Sequence, residues 1–383
     1  MRAFYIFLFG ILTICQAAAQ EATDEVALQE KYQEALEYIS AYQFDAALEL
    51  LTACHQANPS DKDYLLRMAY CSTQLGRYFD AKSHYNALLK LDSKNTQALS
   101  SIGSIYEREN NYREALLFYQ AFAKVDSTNS YACKRCGLAA LKLQQTPDAI
   151  AYFLQSRQLN PTDIEIIEQL SALAISAGQL NDAEKLLNEG LAIDGSNIRL
   201  LQIKARLHIK RKEYNLVAKA LEKTLAQGDT SDFYQMLLAI SYVQLDSIDK
   251  AIFHLEHLVS RKEDTEQTHE YLGFAYRKKG ELELSQFHYE MAIKLGITEK
   301  IDAYYANLGE TLEKQGKYRQ AIEHYQKAYN YNPKAAYLFN IAYNHDLAYK
   351  DKRTAVKYYK QYLATKDKEH ADYTQRRIEA LKK

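Results

Sequence analysis

From about residue 28 onward the apolar residues recur at helical three-to-four spacing, broken at intervals by short polar stretches. A longer period is superimposed on this one. Taking Ala321 as origin, Ser285 lies 36 residues earlier, and every further step back is 34: Ala251, Val217, Ala183, Ala149, Ala115, Ala81 and Ala47. Ala355 lies 34 residues ahead. Four residues after each rung stands a large side chain: Leu51, Tyr85, Tyr119, Phe153, Leu187, Leu221, Leu255, Tyr289, Tyr325 and Tyr359. A second ladder of small residues runs twelve positions before the first: Ala35, Ala69, Gly103, Gly137, Ser171, Ala205, Ala239, Gly273 and Gly309.

These choices have one physical explanation. A helix-breaking stretch separates the two ladders, often with a glycine: Gly76, Gly178, Gly280, Gly316. Each period is therefore two short helices and a turn. Two helices approach to ~8 Å only where side chains are small, and each ladder supplies one small residue per helix at that crossing. Pro59, Pro161 and Pro333 share one slot twelve residues after the first ladder, where they end the second helix. A lone helix pair cannot bury its apolar face, so the pairs must stack.

The spacing resembles that of the tetratricopeptide repeat (TPR) family. The best match is Tyr305, Leu308, Gly309, Ala321, Tyr325, Ala328 and Pro333, followed by Leu99, Ile102, Gly103, Tyr106, Ala115 and Tyr119. Ten repeats are expected, beginning near Leu28, Lys62, Thr96, Ser130, Ile164, Ile198, Asp232, Glu266, Asp302 and Ala335. The resemblance implies an all-α fold, a right-handed α-solenoid over residues 28–366, preceded by a short lead at 20–27. Residues 367–383 read as a C-terminal capping helix that covers the last repeat. Two extra residues fall around 297–301, and the last repeat has one extra residue between Ala342 and Ala355. The sixth repeat is the poorest match, with Lys204 and Val217 at packing slots, so an irregularity is expected there.

Composition narrows the function. Charges nearly cancel, at a formal −1, so the basic excess or stripe of a nucleic-acid binder is missing. The 13 Gly and 4 Pro are few for a β-rich or linker-rich chain. The N-terminus reads as a separate object. Arg2 precedes an uncharged apolar run, Ala3 to Cys15, and Ala17-Ala18-Ala19 satisfies the small-x-small rule. This is the pattern of a secretory signal peptide over 1–19. An anchor helix is one alternative, although the run is short of the ~20 residues that span a bilayer. Lipid attachment at Cys15 is another, with Ile14 standing where that motif takes a small residue. A periplasmic or secreted protein is the expectation.

No catalytic constellation appears: no phosphate loop, no nucleophile elbow, no paired-histidine zinc motif. His254 and His257 stand three apart without an evident third ligand and read as packing or solvated residues. Cys133 and Cys136 form a C-x-x-C at slots where bulky core residues normally sit. They read as core residues; a vicinal disulfide or a redox dithiol are the alternatives. Stacking brings the helices of Cys54 and Cys71 together, which leaves a disulfide between them open. No cofactor, metal, nucleic acid or small-molecule substrate is expected.

The resemblance implies a groove lined by the second, fifth, ninth and twelfth residues of each repeat. A carboxylate clamp of the kind some family members carry is not expected: Asn307 fits, but Glu270 and Phe274 stand where Lys and Asn are needed. The groove also lacks one sign of charge, with Glu165 and Glu168 in one repeat and Arg199 and Arg206 in the next. The repeat beginning at Asp232 is unusual. Its packing stripe is Leu238, Ala239, Tyr242 and Leu245, yet Phe233, Met236, Ile240 and Val243 form a second apolar stripe on the groove side. These four are the candidate partner-binding residues. The alternative is that coiling of the array, or an irregular sixth repeat, covers them. The sequence thus points to an exported, non-catalytic scaffold that binds a protein or peptide segment. A structural subunit or assembly factor of an envelope complex is the alternative, and a redox protein using Cys133 and Cys136 the third.

Overall fold

A computed structural model describes residues 25–228, 231–262, 265–296 and 299–381. The expected signal peptide, Cys15 with it, and part of the insertion at 297–301 lie outside the described residues. Two compact units divide the chain, Met1–Gly178 and Gln179–Lys383.

The N-terminal unit holds α1 (25–40), α2 (Phe44–Ala57), α3 (Lys62–Gln74), α4 (Tyr78–Leu91), α5 (Thr96–Arg108), α6 (Tyr112–Val125), α7 (Ser130–Lys142), α8 (Thr146–Leu159) and α9 (Ile164–Ser176). The C-terminal unit holds α10 (Leu180–Ile193), α11 (Ile198–Arg211), α12 (Tyr214–Ala226), α13 (Asp232–Gln244), α14 (Ile248–Ser260), α15 (Glu266–Lys279), α16 (Leu282–Leu295), α17 (Ile301–Lys314), α18 (Tyr318–Tyr331), α19 (Ala335–Ala348), α20 (Arg353–Leu363) and α21 (Ala371–Leu381). No strand occurs among the described residues. Within each unit every helix packs on the next, the arrangement of an α-solenoid. The first helices of the repeats begin at, or one residue from, the expected starts from Lys62 onward. At the N-terminus the helix already covers 25–27, which the sequence placed in a lead.

The starts are set by a capping ladder. Asp61, Asn95, Asn129, Asp163 and Asn197 each accept a hydrogen bond from a backbone N–H in the following first turn, and Thr265 does the same for α15. The turn between the two helices has its own ladder. Tyr42, Gly76, Asn110, Gln144, Gly178, Lys212, Asp246, Gly280 and Gly316 all have positive φ, between 54° and 88°. The turn demands the left-handed region, so glycine is the unstrained choice, and five repeats meet the demand without it. The prolines work as expected: Pro59, Pro161 and Pro333 each lie two residues past the end of α2, α8 and α18.

The core is the two ladders in contact. Every rung from Ala47 to Ala355, Val217 and Ser285 included, is fully buried. The Ser285 hydroxyl donates to the Gly273 carbonyl at 2.8 Å, bridging the two ladders directly. The small first-helix residue faces the large residue sixteen positions on. A Cβ on Gly137 would lie 2.5 Å from the Phe153 ring, and one on Gly103 would lie 2.7 Å from Tyr119. Glycine stands under Tyr119, Phe153, Tyr289 and Tyr325, where a Cβ would meet the ring, while Ala69 and Ala342 hold the slot before Tyr85 and Tyr359, and alanine or serine faces Leu51, Leu187, Leu221 and Leu255. In the sixth repeat the packing slots Ala205 and Val217 are fully buried as elsewhere, while Lys204 turns its ammonium out to the Asn188 side chain at 2.9 Å; the irregularity lies at the end of α12, which stops at Ala226 and is followed by Gly228 at φ 87°. At the C-terminus α21 caps the array: Ile378 packs with Ala342, Ala355 and Tyr359, and Arg377 pairs with Asp346 at 2.6 Å.

Candidate protein interface

The four residues of the second stripe on α13 do not share one environment. Val243 is buried among Leu221, Leu238 and Ala251. Met236 is half-buried and packs on the cluster of Ile252, Leu255 and Leu272. Ile240 is half-buried. Phe233 is 63% exposed, its ring edge-on to Tyr234 at 5.1 Å between centroids. The stripe thus splits into core residues at the C-terminal end and surface residues toward the N-terminal end. Leu245 corrects the expected packing stripe. It is 40% exposed, because α13 ends at Gln244 and Leu245 is already its cap. Gln235 takes a buried place instead and bonds the His254 Nδ1 at 2.8 Å.

A signal in the sequence explains the split. Eight residues before each rung of the first ladder lies a seam position, nine in the last repeat because of its extra residue. Where the large residue is Tyr85, Tyr119, Tyr289, Tyr325 or Tyr359, the seam position is Thr73, Glu107, Arg277, Glu313 or Asp346. Where it is Leu51, Phe153, Leu187, Leu221 or Leu255, the seam position is Ile39, Leu141, Ile175, Ile209 or Val243. A buried tyrosine hydroxyl needs a polar neighbour, and a buried leucine excludes one. Two of the five tyrosines, Tyr119 and Tyr325, make this contact directly, while the Tyr289 and Tyr359 hydroxyls are buried without a hydrogen-bond partner and Thr73 donates to the Ala69 carbonyl. Tyr119 Oη donates to Glu107 Oε2 at 2.9 Å, and Arg135 pairs with the same carboxylate. Tyr325 Oη reaches Glu313 at 3.5 Å, and Asn344 donates to that carboxylate at 2.6 Å. Burial pushes the Glu313 carboxyl above the usual carboxylate range. Arg277 lies 5.6 Å over the Tyr289 ring and pairs with Glu310 at 2.6 Å. Val243 is apolar because it is buried among Leu221, Leu238 and Ala251; an accessible binding position is not required to account for it.

The other sequence candidates resolve as follows. Cys54, Cys71, Cys133 and Cys136 are buried free thiols, so neither proposed disulfide is formed in the structure. Burial pushes Cys71 up to about 11 and Cys136 up to about 12, and raises Cys54 and Cys133 too. These are neutral core thiols, the opposite of an activated dithiol. His254 stacks on Tyr242 at 5.6 Å while His257 is exposed. Among the described residues no three His, Cys, Asp or Glu side chains gather as a metal site would require. No described helix is long and apolar enough to cross a membrane.

The sequence reading missed a buried histidine pair. His269 and His288 face each other at 2.7 Å between Nδ1 atoms, and His288 stacks on Tyr276. They hold the slots of Gln235 and His254 one repeat later, which the 34-residue spacing makes visible.

Models of tetratricopeptide repeats match residues 26–105 and 140–207, 98–127, and 302–335. The chain belongs to the tetratricopeptide repeat family. A bovine relative, the protein SGT1 homolog of Bos taurus, is 38% identical over 71 residues, which are 18% of this chain and 21% of that protein; the match thus spans about a fifth of that relative. Among solved structures, a tetratricopeptide repeat protein from Parabacteroides merdae is 17% identical, with a TM-score of 0.47 over 66% of this chain and 98% of that one. YrrB, described as a TPR protein with an unusual peptide-binding site, is 18% identical, with a TM-score of 0.43 over 48% of this chain and 95% of that one.

Proposed function

We propose that this protein is an exported, non-catalytic scaffold that seats a protein or peptide segment on the first-helix face of α13. The observation that carries the proposal is Phe233: a large aromatic, mostly exposed, flanked on its helix face by the half-buried Met236 and Ile240. The same slots on α5 hold Gln97, Ser100 and Ser104, an ordinary wet surface. Aromatic anchors with an adaptable methionine beside them are what binding hot spots are built from. The family supplies the general expectation of protein binding. Export is supported by Arg2, the apolar run to Cys15 and the small residues at Ala17 to Ala19.

The test is a photo-crosslinking amino acid placed at Phe233 and, as control, at Gln97, in cells producing the protein. A discrete partner should be captured from position 233 and lost when Ile240→Glu is added. Equal capture from position 97, or capture indifferent to Ile240→Glu, rejects the proposal. A second reading, a structural subunit docking through its second helices, is favoured by one observation. Phe253 and Phe287 hold the same outward slot in consecutive repeats and are 69% and 51% exposed. Phe253 also borders a hollow of about 460 Å³ with Leu225, Tyr242 and His254. Capture from Phe253 and not from Phe233 would select that reading.

A further inference from the structure

The first helix of the repeat before that of α13 is strongly basic. α11 carries Arg199, Lys204, Arg206, Lys210 and Arg211 and no acidic residue. Three of these are engaged within the fold: Arg199, Lys204, which bonds Asn188, and Arg211, which bonds Glu184 at 2.7 Å and Asn181 at 2.8 Å. Arg206 and Lys210 are exposed and, four residues apart, lie on one face of the helix. Lys210 in the last turn suits the helix dipole; Arg206 lies a turn earlier, where that effect has faded. Arg206 holds in α11 the slot that Ile240 holds in α13. On the other flank, α15 presents Phe274 at that slot, and its Glu270 is engaged by Lys300 at 3.7 Å and by the Tyr304 hydroxyl at 3.4 Å. The charge left uncompensated beside the apolar stripe is therefore positive.

We infer that the partner segment is acidic as well as apolar: an aromatic or branched residue sits against Phe233 and Ile240, and Asp or Glu side chains reach Arg206 and Lys210. This rests on the reading that the first-helix face of α13 is the interface, and it adds the chemistry of the occupant. Arginine takes a carboxylate in a bidentate fork, and lysine adds a second positive charge on the same face. The arrangement recognises side-chain carboxylates along a segment, and it uses none of the clamp slots held by Glu270 and Phe274. Exposed charge pairs are screened, so the contact must weaken with salt.

The probe is a displayed library of random dodecapeptides panned against the full chain, with selected peptides remade as fluorescent ligands. The expected selection is an apolar or aromatic residue flanked by Asp or Glu. Affinity should fall roughly tenfold or more in Arg206→Glu/Lys210→Glu, which corresponds to the loss of about one good charge pair. It should fall less in Arg206→Gln/Lys210→Gln, whose unchanged melting temperature guards against misfolding. Peptides with Lys in place of Glu should bind the charge-reversed variant better than the parent. Selection of neutral or basic peptides, no selection at all, or binding indifferent to both double variants and to a rise in ionic strength from about 0.05 to about 0.5 M overturns the inference. In the last case, if Phe233→Ala still abolishes binding, the apolar interface stands and only the acidic partner falls. If Phe233→Ala has no effect, the interface itself is rejected.

Discussion

The third and seventh repeats solve one packing problem in opposite ways. In the third, Gly103, Glu107 and Tyr119 form a seam with a glycine under a tyrosine ring and a carboxylate at its hydroxyl, which Arg135 then joins. In the seventh, the same three slots hold Ala239, Val243 and Leu255, and all three are buried. The first seam is polar at its mouth and aromatic inside; the second is aliphatic throughout. The slots are coupled: the mouth follows the polarity of the large residue in all ten repeats, and a glycine stands under the ring in four of the six aromatic seams. In α13 the aliphatic mouth continues onto Phe233, Met236 and Ile240, so the proposed binding face lies beside core residues without a polar border; in α11, whose mouth is Ile209, the same face carries Arg206.

The largest expected effect comes from mixing the two solutions. Val243→Glu places a carboxylate among Leu221, Leu238 and Ala251, in a seam with no tyrosine hydroxyl to meet it. Burying an unpaired charge of this kind costs about 3 kcal/mol or more. The triple exchange Ala239→Gly/Val243→Glu/Leu255→Tyr installs the third-repeat seam and should recover much of the loss. Urea denaturation of the single and triple variants measures this; a triple variant no more stable than Val243→Glu alone would dissolve the idea of a three-slot unit.

Next in size is the steric half of the rule. Gly137→Ala must push aside the buried Phe153 ring, which lies 2.5 Å from the new carbon. The expected loss is about 1–3 kcal/mol, exceeding the alanine gain in helix propensity of up to about 1 kcal/mol. Gly137→Ala/Phe153→Leu should be closer to wild type than Gly137→Ala alone. Calorimetry of the pair of variants decides it.

Acid should separate the two units of the chain. In the C-terminal unit His254, His324 and His345 are held below the ordinary histidine value, each chiefly by burial. In the N-terminal unit His84 is shifted the same way. A histidine with a depressed folded pKa binds its proton more readily unfolded, so the stability it lends is present above about pH 6.5 and fades as pH falls through that value toward the folded one. Hydrogen exchange at pH 7.0 and 5.5, corrected for intrinsic rates, should show more loss of protection in 179–381 than in 25–178. Equal loss in both would mean the buried histidines do not govern the response.

Much of this architecture was legible in the sequence because the repeat is enforced by sterics at fixed positions. The rungs Ala47 to Ala355 fix the crossing points, and Pro59, Pro161 and Pro333 fix the helix ends. What the ladders could not show, read singly, was the environment of α13. Val243 has an apolar neighbour twelve residues on, and its burial follows only when the two slots are read as a pair. The exposure of Leu245 depends on where the helix stops, which its apolar character hides. The turn slot was only half legible, since Gly76 and Gly178 announce a left-handed residue while Gln144 and Lys212 do not. Lys212→Gly should accordingly stabilise the chain by about 1 kcal/mol, the cost of holding a lysine in that region, as read from the melting temperature.

The smallest expected effect is the one that separates surface from core within α13. Phe233 and Val243 were indistinguishable as members of one apolar stripe. Val243 is nearly enclosed, with Leu221, Leu238 and Ala251 around it, so Val243→Ala removes buried methyl groups and leaves a void; a loss of roughly 1–2 kcal/mol follows. Phe233 keeps most of its surface in water, and its main neighbour is Tyr234 on the same helix. Phe233→Ala therefore forfeits little burial and replaces an aromatic with a better helix former, so the change should stay within about 0.5 kcal/mol. Thermal melts of the two variants give the comparison directly. If Phe233→Ala destabilises as much as Val243→Ala, the ring is part of the core and its exposure carries no argument for a partner. If it is silent in the melt, a large exposed aromatic contributes nothing to the fold that holds it, and the partner-binding role proposed for it keeps its ground.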